Sequence, residues 1–150
     1  MPHSIRHTSR VNKPTRYNIH YLQTFLKNNL WGILWGLLII LLTSLPGRVF
    51  PRLPSFIDLL QPDKLVHLVI FSIFVFLLIL GFRKEGTPQL ILRNPVAIAL
   101  TLGITIGAIT EIIQGTIIPM RAASPYDFLA NVAGCMLGWA MFSLFKRRLT

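Results

Sequence analysis

Residues 111–138 read EIIQGTIIPMRAASPYDFLANVAGCMLG, and the reading of the whole chain turns on them. Two apolar runs, joined by a short proline-bearing connection, carry acids and amides where ordinary membrane-depth sequence carries none. Glu111 and Gln114 stand three apart near the end of one run, and Asp127 and Asn131 four apart at the start of the next, so each pair shares a helix face. Arg121 lies in the connection. A charged side chain at the bilayer centre costs about 2.5–3.5 kcal/mol on insertion scales. These groups are therefore expected to face one another or a wet cavity, and the stretch is the first place to look for a functional site.

Composition sets the class. The 150-residue chain is 53% hydrophobic and 13% charged, which marks an integral membrane protein of single-domain length. Its net charge of +10 comes from residues flanking the apolar runs, without a recognisable nucleic-acid motif, so no nucleic-acid partner is expected. The single cysteine, Cys135, lies within an apolar run and supports neither a disulfide framework nor a cysteine-based zinc site. The first long apolar run begins near Leu30 and leads into proline-rich sequence without a small-residue cleavage site, so it reads as a signal anchor.

Working outward, the sequence predicts an all-α bundle of four transmembrane helices. Residues 1–16, with Arg6, Arg10, Lys13 and Arg16, form a basic cytoplasmic tail ahead of a transmembrane domain at 17–150. Residues 17–29 have helical apolar spacing and read either as a short interfacial helix or as the beginning of the first span. That span, 30–45, is short for a hydrocarbon core of about 30 Å and carries Gly32 and Gly36 four apart on one face. Pro46, Pro51, Pro54 and Pro62 interrupt helix before the second span, 64–82. In the third span, 95–118, Gly103, Gly107, Glu111 and Gly115 recur every four residues, with Pro95 in its first turn. The fourth, 126–145, has Asp127, Asn131, Gly134 and Gly138 on one side, so small surfaces of spans three and four are expected to meet. With both termini cytoplasmic, eleven of the fifteen Lys and Arg residues fall inside, leaving only Arg48, Arg52, Lys64 and Arg121 outside. The acids Asp58, Asp63, Glu111 and Asp127 then lie on the outer side.

Asp63, Lys64 and His67 open the second span, with Asp63 and His67 on one helix face. In this topology Asp63, Lys64, His67, Glu111, Gln114, Arg121, Asp127 and Asn131 can converge in one leaflet. Each also has a purely structural role open to it. Asp63 and Asp127 can cap helices, and Lys64 can snorkel. Glu111, Gln114 and Asn131 can join helices, and Arg121 can neutralise an acid. The sequence contains no H-E-x-x-H, G-x-S-x-G or nucleotide-binding P-loop, and Ser124 reads as a turn or cap residue. His67 paired with Glu111 or Asp127 has the composition of a general acid and base. One histidine with acids from separate helices is a poor metal signature, so neither a metal nor another cofactor is assigned.

Taken together, Ser44-Leu45-Pro46-Gly47, Pro62-Asp63-Lys64 with His67 and Phe71, and the series Glu111, Gln114, Arg121, Ser124, Asp127, Asn131, Gly134 and Gly138 resemble the VanZ-like family. The resemblance implies a multi-pass protein of the bacterial inner membrane, in a family named for low-level resistance to the glycopeptide teicoplanin and without a settled activity. The expected function is binding of an envelope lipid or lipid-linked glycan headgroup in an outward-facing polar pocket. The alternatives are an enzyme acting on such a headgroup and a structural or partner-binding subunit. The expected partners are membrane lipids and a lipid-linked envelope precursor.

Overall fold

The structure is a computed structural model describing residues 15–45, 62–118 and 123–149. Among the described residues six helices follow in order: α1 (Thr15–Asn28), α2 (Leu30–Thr43), α3 (Pro62–Phe82), α4 (Gln89–Arg93), α5 (Pro95–Thr116) and α6 (Pro125–Leu149). There are no strands among the described residues. Among the described residues three helices are long and apolar enough to cross a membrane, Asp63–Phe82, Pro95–Thr116 and Pro125–Lys146, and the bent pair Ile19–Asn28 and Leu30–Thr43 makes a fourth if it is one span. At 1.5 Å per residue the 21 residues of α3 reach about 31 Å, matching a hydrocarbon core. The exposed side chains include Leu37, Leu41, Leu65, Leu129 and Leu144, an apolar exterior suited to lipid.

Prolines set the helix starts. Pro95 occupies the first turn of α5, where its missing N–H costs nothing. Pro62 and Pro125 likewise open α3 and α6, so Pro62 starts a helix rather than extending the preceding loop. After Phe82 the chain turns through Gly86, whose φ of 80° lies in the left-handed region that glycine tolerates best. The short α4 then precedes α5. At the other end of the chain α6 continues through Lys146, Arg147 and Arg148 instead of stopping at Phe145. α1 takes in residues 15 and 16 of the expected basic tail 1–16; residues 1–14 and 46–61, with Pro119 and Arg121, lie outside the described residues.

The 14 residues of α2 span only about 21 Å, and α1 meets them at an angle of 64°. Asn29 makes the corner, donating its side-chain amide to the Phe25 carbonyl at 2.9 Å. α3 comes close to this corner at Gly81, where a side chain would strike the Asn29 amide. Asn28 donates to the Glu85 carbonyl at 2.7 Å, and the Phe25 and Phe82 rings stack at 6.2 Å. Together these contacts fix the bend to the end of α3.

α3 is the centre of the bundle. Phe71, Phe74, Val75, Leu78, Ile79 and Phe82 are all buried at helical spacing, facing the other helices. Gly32 and Gly36 let antiparallel α2 approach Leu78 and Phe74, as their spacing predicts, and Trp35 donates its indole N–H to the Ile70 carbonyl at 2.9 Å. Gly103 and Gly107 of α5 face Cys135 and Asn131 of α6. The glycines of α6 behave differently from the expectation. Gly134 and Gly138 lie against the backbone of Leu68 and Ser72, so they admit α3 and not α5. The matching order of these contacts makes α3 and α6 parallel neighbours, and theirs is the most extensive pairing among the described helices.

Candidate functional site

Parallel packing of α3 and α6 brings two helix starts together at one end of the bundle, and the antiparallel α5 delivers its last turns there. Asp63, Lys64 and His67 come from α3, Glu111 from α5, and Asp127 and Asn131 from α6. The convergence expected from sequence is therefore present for these six residues. These six acids, bases and amides do not simply collect; they interact in a defined order.

Asn131, completely buried, is the hub. Its amide nitrogen donates to Glu111 Oε1 at 3.3 Å, and its oxygen faces His67 Nδ1 at 2.8 Å. An ionised Glu111 can only accept, and with it the amide nitrogen faces Glu111 and the amide oxygen His67. His67 Nδ1 therefore carries the proton. In the neutral ring Nε2 then keeps its lone pair, and it points towards Asp63 Oδ1, 4.0 Å away. Glu111 Oε1 is also 3.9 Å from His67 Nδ1, supporting the ring from the same side. His67 is only 3% exposed.

The start of α6 is capped in an unexpected way. Ser124 Oγ accepts the Asp127 backbone N–H at 3.3 Å, an ordinary cap of the third helical amide. In a capping box the third helical residue would reach back to the cap residue's own N–H. Here Glu111 Oε2 accepts that N–H from Ser124 at 3.3 Å, across from α5. Asp127 is thus released from the capping role its position suggests. Its Oδ1 is buried without a hydrogen-bond partner, 3.7 Å from Lys64 Nζ in a long ion pair. Lys64 also lies 5.8 Å from the centre of the Tyr126 ring. Asp63, by contrast, has a side chain 61% exposed and forms the open edge of the cluster.

Gln114 does not join this group. It is buried, and its amide donates to the Thr43 carbonyl at 3.1 Å, tying the end of α2 to α5. Its three-residue spacing from Glu111 put it one turn nearer the helix end, within reach of a different neighbour. Arg121 lies outside the described residues. The sequence reading missed the interhelical cap made by Glu111 and the anchors Trp35 and Thr43. Asn29 carried a visible signal, a lone amide directly ahead of an apolar run.

Chemically, the cluster offers one imidazole of fixed orientation, two carboxylates on its open side and a movable ammonium. In comparisons with known proteins, no family model, curated sequence or solved structure matches the chain.

Proposed function

We propose that this chain is a multi-pass protein of the bacterial inner membrane that receives the polar headgroup of an envelope lipid or lipid-linked glycan at the cluster end of its bundle. In this reading α2, α3, α5 and α6 form a four-helix bundle and α1 lies along the membrane interface. Both termini are cytoplasmic and the cluster faces outward. The charge distribution supports that orientation. Arg83, Lys84 and Lys146 gather at the end opposite Asp63, Glu111 and Asp127, the asymmetry expected when the basic end stays inside. The resemblance to the VanZ-like family points the same way.

The observation that carries the reading is the half-open character of the cluster. Polar groups serving only to join helices would be expected to satisfy one another, because an unpaired buried polar atom costs about 1–3 kcal/mol. Asp127 Oδ1 is buried and unpaired while Asp63 and Lys64 beside it reach the exterior. Hydroxyls or amines of a headgroup would find acceptors in the two aspartates, and a phosphate would meet Lys64. Native mass spectrometry of the detergent-extracted protein tests this. Wild type should retain a lipid that Lys64→Ala and Asp127→Asn lose while remaining folded. Equal lipid on all three proteins would overturn the proposal.

A second reading, an enzyme acting on that headgroup, is favoured by one feature. His67 is oriented through Asn131 by a carboxylate, and its free nitrogen faces the open side, as a general base requires. Under it, His67→Asn should retain the lipid and abolish its conversion.

A further inference from the structure

The open side of the cluster has a property that headgroup binding does not require. One ligand-type atom each from Asp63, His67 and Asp127 lies within 4.8 Å of the others. Three independent features of these residues agree with their holding a cation.

The first is the tautomer of His67. Metal-bound histidines nearly always donate their other ring N–H to a fixed acceptor, which orients the ring and raises its basicity. His67 Nδ1 has such an acceptor in Asn131, at 2.8 Å, with Glu111 behind it at 3.3 Å. Nε2 is left as the coordinating atom, facing Asp63. The second is Asp127, which is 7% exposed and whose Oδ1 is buried with no hydrogen bond. Its helix-capping work is done by Ser124 and Glu111, so capping does not account for it. The third is charge. Among the described residues, Asp63, Glu111 and Asp127 face one cation, Lys64, whose Nζ stands 3.7 Å from Asp127 and is not hydrogen-bonded to Oδ1.

We propose that Asp63, His67 Nε2 and Asp127 bind a divalent first-row transition-metal ion of the Zn2+ or Mn2+ type. One imidazole and two carboxylates form a mixed donor set suited to such borderline ions, and less so to a thiolate-seeking ion or to an ion preferring oxygen alone. Ligand bonds of about 2.0–2.2 Å place tetrahedral donor atoms about 3.4 Å apart, so the triad must contract by up to about 1.4 Å. Asp63, at the exposed edge, has the freedom to close that gap. Lys64 swings away, because the ion and the ammonium compete for the same Asp127 carboxylate. Three protein ligands leave at least one coordination position for an outside molecule. The site stands whether or not a headgroup is the natural occupant of that position.

The test uses the full chain, purified in detergent without a histidine tag, stripped with chelator and titrated with Zn2+ by calorimetry. Co2+ serves as a spectroscopic probe of the same site. Wild type should bind one equivalent. Asp63→Asn, at an exposed position where folding is not at stake, and His67→Asn should each weaken binding about 100-fold, and Asn131→Ala about 10–100-fold. Lys64→Gln should tighten it, a change that damage to the fold would not produce. No saturable binding by folded wild type overturns the proposal. So does binding unaffected by Asp63→Asn and His67→Asn, which would assign the ion to histidines such as His3, His7 or His20.

Discussion

Replacing Gly134 with alanine probes a close backbone contact between α3 and α6 together with its link to the cluster. A methyl group there would run into the Leu68 carbonyl oxygen, with the Leu68 carbonyl carbon and Cα each at 3.1 Å. The obstacle is the main chain of the central helix, so no rotamer change can relieve it. The Leu68 oxygen is the nearest obstacle, so α3 and α6 would have to part by about 1 Å to restore ordinary contact distances. Leu68 adjoins His67, and Gly134 lies one turn beyond Asn131. The separation is therefore transmitted to the 2.8 Å His67–Asn131 bond, stretching it to the edge of hydrogen-bonding range. Overpacking of this kind costs about 1–3 kcal/mol, and alanine's better helix propensity returns about 1 kcal/mol. A weakened interhelical bond adds about 0.6–1.7 kcal/mol to the loss. The net expectation is destabilisation by about 1–3 kcal/mol, measured by reversible unfolding in detergent micelles. Gly36→Ala is the control, since its methyl would meet the edge of the Phe74 ring at 3.1 Å, which can shift. An increase in stability for Gly134→Ala would refute the close backbone contact.

Other consequences follow from the bonding order. Glu111→Gln keeps one acceptor oxygen where two are used, so either the Ser124 N–H or the Asn131 amide loses its partner. Unfolding should show a loss of about 1–3 kcal/mol, and an unchanged stability would remove Glu111 from the interhelical cap. Gln114→Leu should cost about 0.6–1.7 kcal/mol through the lost bond to Thr43 and leave bound lipid unchanged in native mass spectrometry. Lipid loss there would place Gln114 in the site after all. Orientation is checked in a Cys135→Ala background. Ala123→Cys should react with an impermeant maleimide in spheroplasts and Lys84→Cys should not, the reverse pattern placing the cluster on the cytoplasmic side.

The long helices were legible because a bilayer demands about 20 apolar residues in a row, although Pro62 and Pro125 were read as lying before the helices they open. Face-sharing was legible too, since Asp63 with His67 and Asp127 with Asn131 follow from helical geometry alone. Partner choice was not. The periodicity of Gly134 and Gly138 reveals a close-packing face but contains nothing about which helix fills it, and α3 proved to be the neighbour where α5 was expected. Gln114 shows the same limit at the level of one side chain, because its spacing from Glu111 fixes a direction and not a recipient. The role of Asp127 was hidden for another reason. Ser124-Pro125-Tyr126-Asp127 has the local form of a capping box, and only a carboxylate from a distant helix could displace Asp127 from it.

The parallel pairing of α3 and α6 explains where the acids collect. Two helix N-termini meet at that end, each with a partial positive charge that stabilises a nearby carboxylate by about 0.3–1 kcal/mol. Asp63 and Asp127, both in first turns, gain from it. Glu111 gains nothing comparable, because it lies towards the C-terminal end of α5, where the dipole has the opposite sign. Its placement needs a different cause, and its bonds supply one. One oxygen closes the start of α6, while the other holds Asn131, which in turn fixes the His67 ring. Glu111 thereby frees Asp127 and orients His67 together. A network built only to hold helices together would have used Asp127 for the local cap and spared the bundle a second buried acid.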